Sequence, residues 1–225
     1  MNNSIYSNKH NNFLDKIVIK KRHEMSEIIN KYISNQSIEH ALDIGTTDDK
    51  GFESSNYLIK NLRNIKIYRS ISDQKINSKF FSRTLTKSIT DNFSDEEIEN
   101  FSSDLVISNA TLEHVGSYQE QLKMLKNIIK LTKKLFIVVT PNRMHPIEFH
   151  SKIPFIHWLP KKFHRKILSI IGLKYLSEEK NLNLLKTSNL INLMKNFNNI
   201  EFDIEYVNFL LFKSNIILIG KNKDK

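Results

Sequence analysis

The sequence contains no cysteine, and glycine, proline and tryptophan are scarce. Among its 225 residues there are five glycines, four prolines and one tryptophan. The lack of cysteine excludes disulfides, thiolate metal sites and a cysteine nucleophile. The longest strongly apolar runs, LFIVV and ILSIIGL, are too short to span a bilayer. The first twelve residues lack the apolar core of a signal peptide, and together these features indicate a cytoplasmic protein.

The charge of the chain is strongly basic. Its formal net charge is +10 and its pI is about 9.5. Such a balance favours acidic partners, among them nucleic acid, anionic lipid and phosphorylated small molecules. Lysine is spread along the whole sequence, however, as expected from a general bias towards Lys, Asn and Ile. This even distribution argues against a dedicated nucleic-acid groove.

Apolar patterning predicts strands that alternate with helices. HALDIG, NIKIYRSI, RTLTKSI, SDLVISNA and LFIVVTP read as strands, IEFDIEYV and FKSNIILIG as two closing strands, and residues 13–33, SSNYLIKNL, SDEEIENF, YQEQLKMLKNIIKLTKK and SNLINLMKNF as helices. This order predicts an α/β fold with a mainly parallel sheet covered on both faces. We expect a single domain over residues 1–225, with residues 1–12 as a frayed tail.

In such sheets ligands bind beyond the carboxyl ends of the strands. The segment LDIGTTDD ends the first strand, where Gly45 permits close approach to the main chain and Asp43 offers a carboxylate. The G-x-G-x-x-G dinucleotide fingerprint is absent. The neighbouring aspartates suit a positively charged ligand better than a pyrophosphate. A simple tight turn between strand and helix explains the same residues equally well.

Three segments together resemble a known enzyme family. ALDIGTTDD, then SDLVISNATLEHV, then LTKKLFIVVTPNR are similar in order and spacing to class I S-adenosylmethionine-dependent methyltransferases, especially types 11 and 12. The resemblance covers roughly residues 38–143. It implies a Rossmann-like three-layer sandwich with a seven-stranded sheet in the order 3-2-1-4-5-7-6, the last strand antiparallel. The family's glycine-rich loop retains a single glycine before Thr and Asp in this chain.

The resemblance also implies which residues hold the cofactor, S-adenosylmethionine. Asp43, Gly45 and Thr46 would lie beside its amino acid part, Asp73 would bind the ribose and Asp91 the adenine. Ser108, Asn109 and Ala110 would line the methyl-transfer site. From the residues alone, Asp73 and Asp91 are equally well explained as solvated loop acids.

Residues 140–166 differ in composition from the rest of the chain. This stretch holds all four prolines, four of the eight histidines and the single tryptophan. Prolines restrict the backbone and reduce the entropy of holding one shape. Because the stretch follows the fifth strand, we expect residues 141–180 to form a semi-rigid lid over the methyl acceptor. Its predicted acceptor-binding residues are Asn142, Arg143, His157, Trp158 and Arg165.

A hydroxyl acceptor must lose its proton as the methyl arrives, and a positioned imidazole can accept it. The candidate bases are His114, His145 and His150, with Glu148 to orient one of them. Each is also explained by ordinary packing. The spacing of His145, Glu148 and His150 matches no helical ligand pattern, so no metal site is predicted.

The leading hypothesis is thus a small-molecule methyltransferase that acts on oxygen. We expect a sugar or polysaccharide precursor as acceptor, either nucleotide-linked or lipid-linked. The basic segment PKKFHRK beside Trp158 suits phosphate groups or peripheral contact with a membrane. Two alternatives are a non-catalytic binding protein on the same scaffold and a nucleic-acid methyltransferase. The latter lacks a recognisable base-binding signature.

Overall fold

A computed structural model describes residues 12–48 and 54–223 of the chain. Of the expected tail, residues 1–11 lie outside the described residues, and Asn12 begins the first helix. The strands are β1 (His40–Ile44), β2 (Ile67–Ser72), β3 (Arg83–Thr86), β4 (Ser103–Asn109), β5 (Thr132–Pro141), β6 (Ile200–Phe209) and β7 (Phe212–Asn222). The helices are α1 (Asn12–Ile33), α2 (Tyr57–Lys60), α3 (Asp95–Phe101), α4 (Tyr118–Leu131), α5 (Lys161–Ile170), α6 (Lys174–Ser177) and α7 (Thr187–Met194).

The seven strands form one sheet in the order β3-β2-β1-β4-β5-β7-β6. All neighbouring pairs among β1 to β5 are parallel, and β7 runs antiparallel between β5 and β6. The predicted strand order and the antiparallel last strand are therefore confirmed. The order reverses between β1 and β4, which places the switch point of the sheet at their carboxyl ends.

Two hydrophobic layers hold the helices against the sheet. On one face, Ala41, Leu105 and Ile137 pack with α1 and α2. On the other face, Leu42, Val106 and Phe136 pack with α4 and α7. Adjacent strand residues thus point into opposite layers, which explains why the central strands read as continuous apolar runs. The sheet is a rigid base from which the strand ends project.

Local sequence predicts the N-cap of one helix correctly and that of another incorrectly. A serine directly before a helical segment predicts an N-cap, at Ser94 in SDEEIENF and at Ser54 or Ser55 in SSNYLIKNL. Ser94 caps α3 through a capping box with Glu97, as predicted. The predicted cap of α2 at Ser54 or Ser55 is wrong. Asn56 is the N-cap instead, in a left-handed conformation, and α2 is only four residues long. The Asn56 side chain bonds the backbone of Thr47, so it braces the loop after β1.

The chain between β5 and α7 forms a separate layer over the carboxyl edge of the sheet. Its α5 and α6 surround a small core of their own, made of Leu168, Leu176, Leu182 and Leu184. A bridge from Asn142 to Leu185 joins its two ends. We call residues 142–186 the lid; it is slightly longer than the predicted insertion.

Across the part of the chain that the structure describes, no helix has both the length and the apolar character needed to cross a membrane.

Candidate active site

The loop after β1 is organised around a buried carboxylate. The Asp43 side chain accepts a hydrogen bond of 2.6 Å from the Thr46 hydroxyl, and only 7% of Asp43 is exposed. Burial raises the pKa of this carboxyl to about 6, against the opposing effect of the Thr46 hydrogen bond. The Ser72 hydroxyl donates to the Thr46 carbonyl at 2.7 Å, which ties the loop to the end of β2.

Gly45 is required by a close approach from the segment after β4. Its φ of +82° is unfavourable for residues with a side chain, and an added Cβ would lie 2.1 Å from the Thr111 hydroxyl oxygen. Thr111 itself donates to the Ile44 carbonyl at 3.3 Å. Gly45 therefore joins the loop after β1 to the turn after β4, an interaction that sequence reasoning did not foresee.

Three of the remaining predicted cofactor residues lie at the carboxyl ends of strands. Asp73 directly follows β2 and is exposed. Ser108 and Asn109 end β4, and the Ser108 hydroxyl donates to the Ile44 carbonyl at 3.1 Å. Asp91 is exposed further along the chain, in the loop between β3 and α3. The roles of these residues in cofactor binding remain predictions.

Two histidines from different segments meet above this edge. His114 belongs to a short turn after β4, and His150 belongs to the lid. Their Nε2 atoms lie 3.0 Å apart. The Nδ1 atom of His114 lies 2.7 Å from the Asn181 carbonyl, and the Nδ1 atom of His150 lies 2.6 Å from a Glu148 carboxylate oxygen. Two of the predicted bases and the predicted orienting acid are therefore neighbours.

The charge of Glu148 keeps His150 in place. Burial alone would raise the pKa of Glu148, but hydrogen bonds from His150 and Ser151 outweigh it and hold the pKa at about 2. Burial would likewise lower the pKa of His150, but its hydrogen bond with Glu148 and the negative charge of Glu148 outweigh burial and raise it. Glu148 is thus a carboxylate at neutral pH and fixes the proton of His150 on Nδ1.

Glu113 completes the cluster. It is fully buried, and its Oε2 atom accepts a hydrogen bond of 2.9 Å from the Thr140 hydroxyl of β5. Within the described residues, its Oε1 atom has no hydrogen-bond partner. This atom lies 4.0 Å from the Nε2 atom of His114. We call Glu113, His114 and His150 the acceptor-side cluster. Glu113 lies in the segment SDLVISNATLEHV, but sequence reasoning assigns it no role.

His145, the third predicted base, is fixed by the backbone around it. It is 1% exposed, and its ring nitrogens lie 2.9 Å from the Ile147 carbonyl and 3.2 Å from the Phe209 carbonyl. Its ring stacks between Phe149 and Phe209. This geometry fits a packing role, in which His145 fastens the lid to the hairpin between β6 and β7. The role of His145 as a base stays a prediction.

Most of the predicted acceptor-binding residues also hold the lid together. Arg143 donates from Nε to the His157 carbonyl at 2.9 Å and from Nη2 to the Leu159 carbonyl at 2.7 Å. The buried His157 contacts the His145 carbonyl through Nε2 at 2.7 Å. Arg165 pairs with Glu179 at 2.9 Å. Asn142 bonds the backbone of Lys213, whereas Trp158 is 43% exposed.

A search of solved structures finds many chains with this architecture. Magnesium protoporphyrin IX methyltransferase from Synechocystis PCC 6803, with bound SAH, superposes with a TM-score of 0.58 at 11% identity, covering 97% of this chain and 91% of its own. The N-methyltransferase NodS from Bradyrhizobium japonicum WM9 gives 0.54 at 10% identity, covering 92% and 98%. The chain has the class I methyltransferase fold.

The similarity is one of structure alone. No protein-family model matches the sequence, and no curated protein matches it either. The small RNA methyltransferase HEN1 shares the fold with a TM-score of 0.58 at 13% identity, covering 90% of this chain and 25% of its own. The neighbours thus include proteins named for a porphyrin, for nitrogen methylation and for RNA. The methyltransferase fold therefore does not determine the acceptor.

Proposed function

We propose that this protein transfers a methyl group from S-adenosylmethionine to an oxygen of a small molecule. The observation that carries the proposal is the turn after β4. At one end it packs Thr111 against Gly45 of the loop where the family resemblance puts the cofactor, and at the other it presents Glu113 and His114 to the lid. Methyl donor and acceptor would then lie on either side of the four residues from Thr111 to His114.

The reaction is an in-line displacement. A lone pair of the acceptor oxygen forms the new bond to the methyl carbon, the carbon–sulfur bond breaks, and the sulfur keeps the electron pair as S-adenosylhomocysteine. The protein's main task is to align the acceptor opposite the sulfur. A hydroxyl must also lose its proton, and we place this step at the acceptor-side cluster, in its simplest form with a histidine as general base.

The buried carboxylate of Asp43 favours a positively charged methyl donor. The sulfonium and the ammonium of S-adenosylmethionine are positive, and the carboxylate of Asp43 lies at the end of β1, where the family resemblance places the amino acid part of the cofactor. Burial penalises the ionised form of this carboxyl, and a nearby cation offsets that penalty. Cofactor binding should therefore be coupled to the ionisation of Asp43.

This coupling predicts a pH dependence. The folded-state pKa of Asp43 is about 6, above its ordinary 3.8, so the empty site holds a proton below pH 6 and loses it above. We expect the affinity for S-adenosylmethionine, measured by calorimetry, to rise roughly tenfold from pH 5 to pH 7.5. The reason is that the ionised fraction of Asp43 falls about tenfold for each pH unit below its pKa. The Asp43→Asn variant should bind S-adenosylmethionine more weakly, and its affinity should not rise between these pH values.

A matched control is Asp73→Asn, which we expect to lower affinity at both pH values by removing hydrogen bonds to the ribose. No heat at millimolar cofactor for the wild-type chain would contradict the proposal. It would favour the alternative of a binding protein on the methyltransferase scaffold.

The lid surface supports a lipid-linked acceptor. Phe163 and Ile170 lie seven residues apart on α5 and are 59% and 73% exposed, and Lys166 lies between them. Phe155 and Trp158 pack edge to face just before α5 and are also exposed. Aromatic and aliphatic side chains interleaved with lysines suit the surface of an anionic membrane. We propose that the lid docks there to reach its acceptor.

Vesicle sedimentation tests this contact. We expect the protein to sediment with vesicles of phosphatidylcholine and phosphatidylserine and to be released by high salt, since each basic residue near such a surface contributes about 1 kcal/mol. Phe163→Ser with Ile170→Ser should weaken binding at least ~10-fold, because each buried apolar side chain contributes about 1.5–3 kcal/mol. Val18→Ser, at an exposed position on α1, should bind like the wild type. Equal binding by all three proteins would refute the assignment of the contact to the lid.

A further inference from the structure

The acceptor-side cluster has an unusual arrangement of ring protons. The Nδ1 atom of His114 faces a backbone carbonyl, which only accepts hydrogen bonds, and the Nδ1 atom of His150 faces the ionised Glu148. Both Nδ1 atoms must therefore carry their protons. In neutral rings the two Nε2 atoms then have lone pairs, and these lone pairs face each other across 3.0 Å. Such an arrangement is repulsive unless a positive charge lies at this point.

Two kinds of cation would remove the repulsion. A proton on one Nε2 would link the two histidines by a hydrogen bond. That solution leaves the buried Oε1 atom of Glu113 without a partner among the described residues, and an unpartnered buried oxygen is costly. A metal ion would satisfy both nitrogens and this oxygen together, because the three ligand atoms all lie within 4.8 Å of one another.

We infer that Glu113, His114 and His150 bind a divalent transition-metal ion. Two imidazoles and one carboxylate form the donor set of many catalytic zinc sites, which keep one position open. Nitrogens about 2.05 Å from a tetrahedral zinc ion lie about 3.3 Å apart, close to the 3.0 Å between these two rings. The two imidazole nitrogens favour zinc or its first-row neighbours over magnesium, which prefers oxygen ligands.

The surroundings of the cluster are those of a metal site. Metal-binding histidines usually donate their second ring proton to a carboxylate or a backbone carbonyl, and here Glu148 and the Asn181 carbonyl fill those positions. The Asn181 carbonyl is itself fixed, because the nearby Asn183 bonds the Glu113 carbonyl and the Gly116 carbonyl. The ligands are thus preorganised by residues from both the turn after β4 and the lid.

The ion would have a task in the proposed reaction, and this part of the inference rests on the proposed function. An acceptor hydroxyl bound at the open position would have a lowered pKa, as water on zinc does. Its proton would then pass to solvent, and the acceptor oxygen would form the new bond to the methyl carbon as the carbon–sulfur bond breaks. Metal binding itself does not depend on methyl transfer.

The test is zinc binding by the full-length chain after chelator treatment and dialysis. We expect competition with a chromophoric chelator to show one Zn²⁺ per chain. His150→Ala and the nearly isosteric Glu113→Gln should weaken binding about 100-fold or more, and Glu148→Gln, which changes only the support of His150, about 10- to 100-fold. His23→Ala, at an exposed histidine of α1, should bind like the wild type. Cobalt absorption reports the ligand set independently.

Two results would overturn the inference: no stoichiometric zinc binding, or binding that the cluster variants leave unchanged. Circular dichroism of each variant separates lost binding from lost folding. Methyl transfer by metal-free protein would also overturn a catalytic role of the ion, yet it would leave the proposed methyl transfer intact. Zinc binding without any methyl transfer would instead support the metal site and contradict the proposed function.

Discussion

Gly220→Ala should strongly destabilise this protein, because the added methyl group would collide with a buried aromatic ring. Gly220 of β7 lies opposite Phe136 of β5, and an added Cβ would sit 2.1 Å from the Cζ atom of that ring and within 2.8 Å of two further ring atoms. Phe136 is 1% exposed in the larger core cluster, so its ring has no free space to enter. Overpacking of this kind typically costs about 1–3 kcal/mol and occasionally more.

The measurement is thermal unfolding with a compensating substitution. We expect Gly220→Ala to lower Tm by about 2–4 °C for each kcal/mol lost. Adding Phe136→Leu to Gly220→Ala should restore part of the loss, although Phe136→Leu alone destabilises by leaving a cavity. Additive losses in the double variant would contradict the steric explanation.

Gly172→Ala is the matched control for the glycine itself. Its φ is +86°, but no atom lies within 4 Å of an added Cβ. Only the strain of a left-handed backbone remains, about 1–2 kcal/mol. The contrast with Gly220 separates backbone strain from collision with a neighbour.

Sequence patterns predicted the central sheet well because each central strand is buried on both faces. LFIVVTP and SDLVISNA have that character along their length, and so β5 and β4 were found within a few residues. The capping box at Ser94 was predictable for a similar reason, since it depends on residues three positions apart. Where structure is decided locally, the sequence is sufficient.

The site was less predictable because its contacts join distant segments. Closeness in sequence groups His145 with Glu148 and His150. In the structure, however, His150 pairs with His114, 36 residues away. Glu113 depends on Thr140, which is 27 residues distant. The fold of the lid brings these groups together, and no periodicity in the sequence specifies it. The nearest signal in the sequence is Glu113 beside His114 at the end of the segment SDLVISNATLEHV.

His164 has surroundings different from those of the histidines in the acceptor-side cluster. His164 lies in the lid and is 6% exposed, and burial lowers its pKa to about 4. Within the described structure its Nε2 atom has no hydrogen-bond partner. Replacing a neutral, unpaired polar group by an apolar one of similar size is neutral or stabilising. His164→Leu should therefore retain both stability and activity, which makes it a control for substitutions at His150.

Loss of either histidine of the acceptor-side cluster should abolish most of the methyl transfer. We expect His114→Ala and His150→Ala each to reduce kcat about 10²- to 10⁴-fold, since activation of the acceptor hydroxyl contributes on that scale. Calorimetry should show little change in affinity for S-adenosylmethionine, because we propose that the donor binds at the ends of β1 and β2.

The double variant decides whether the histidines act as one unit. If both are needed at a single point, removing the second should cost almost nothing more, as for other groups that act together. Losses that multiply would instead mean two independent roles, and wild-type rates in both single variants would place acceptor activation elsewhere. Glu148→Gln should fall between wild type and His150→Ala, because it loosens the orientation of His150 without removing the imidazole. An intermediate rate for Glu148→Gln would link the proton on the Nδ1 atom of His150 to the chemistry at its Nε2 atom.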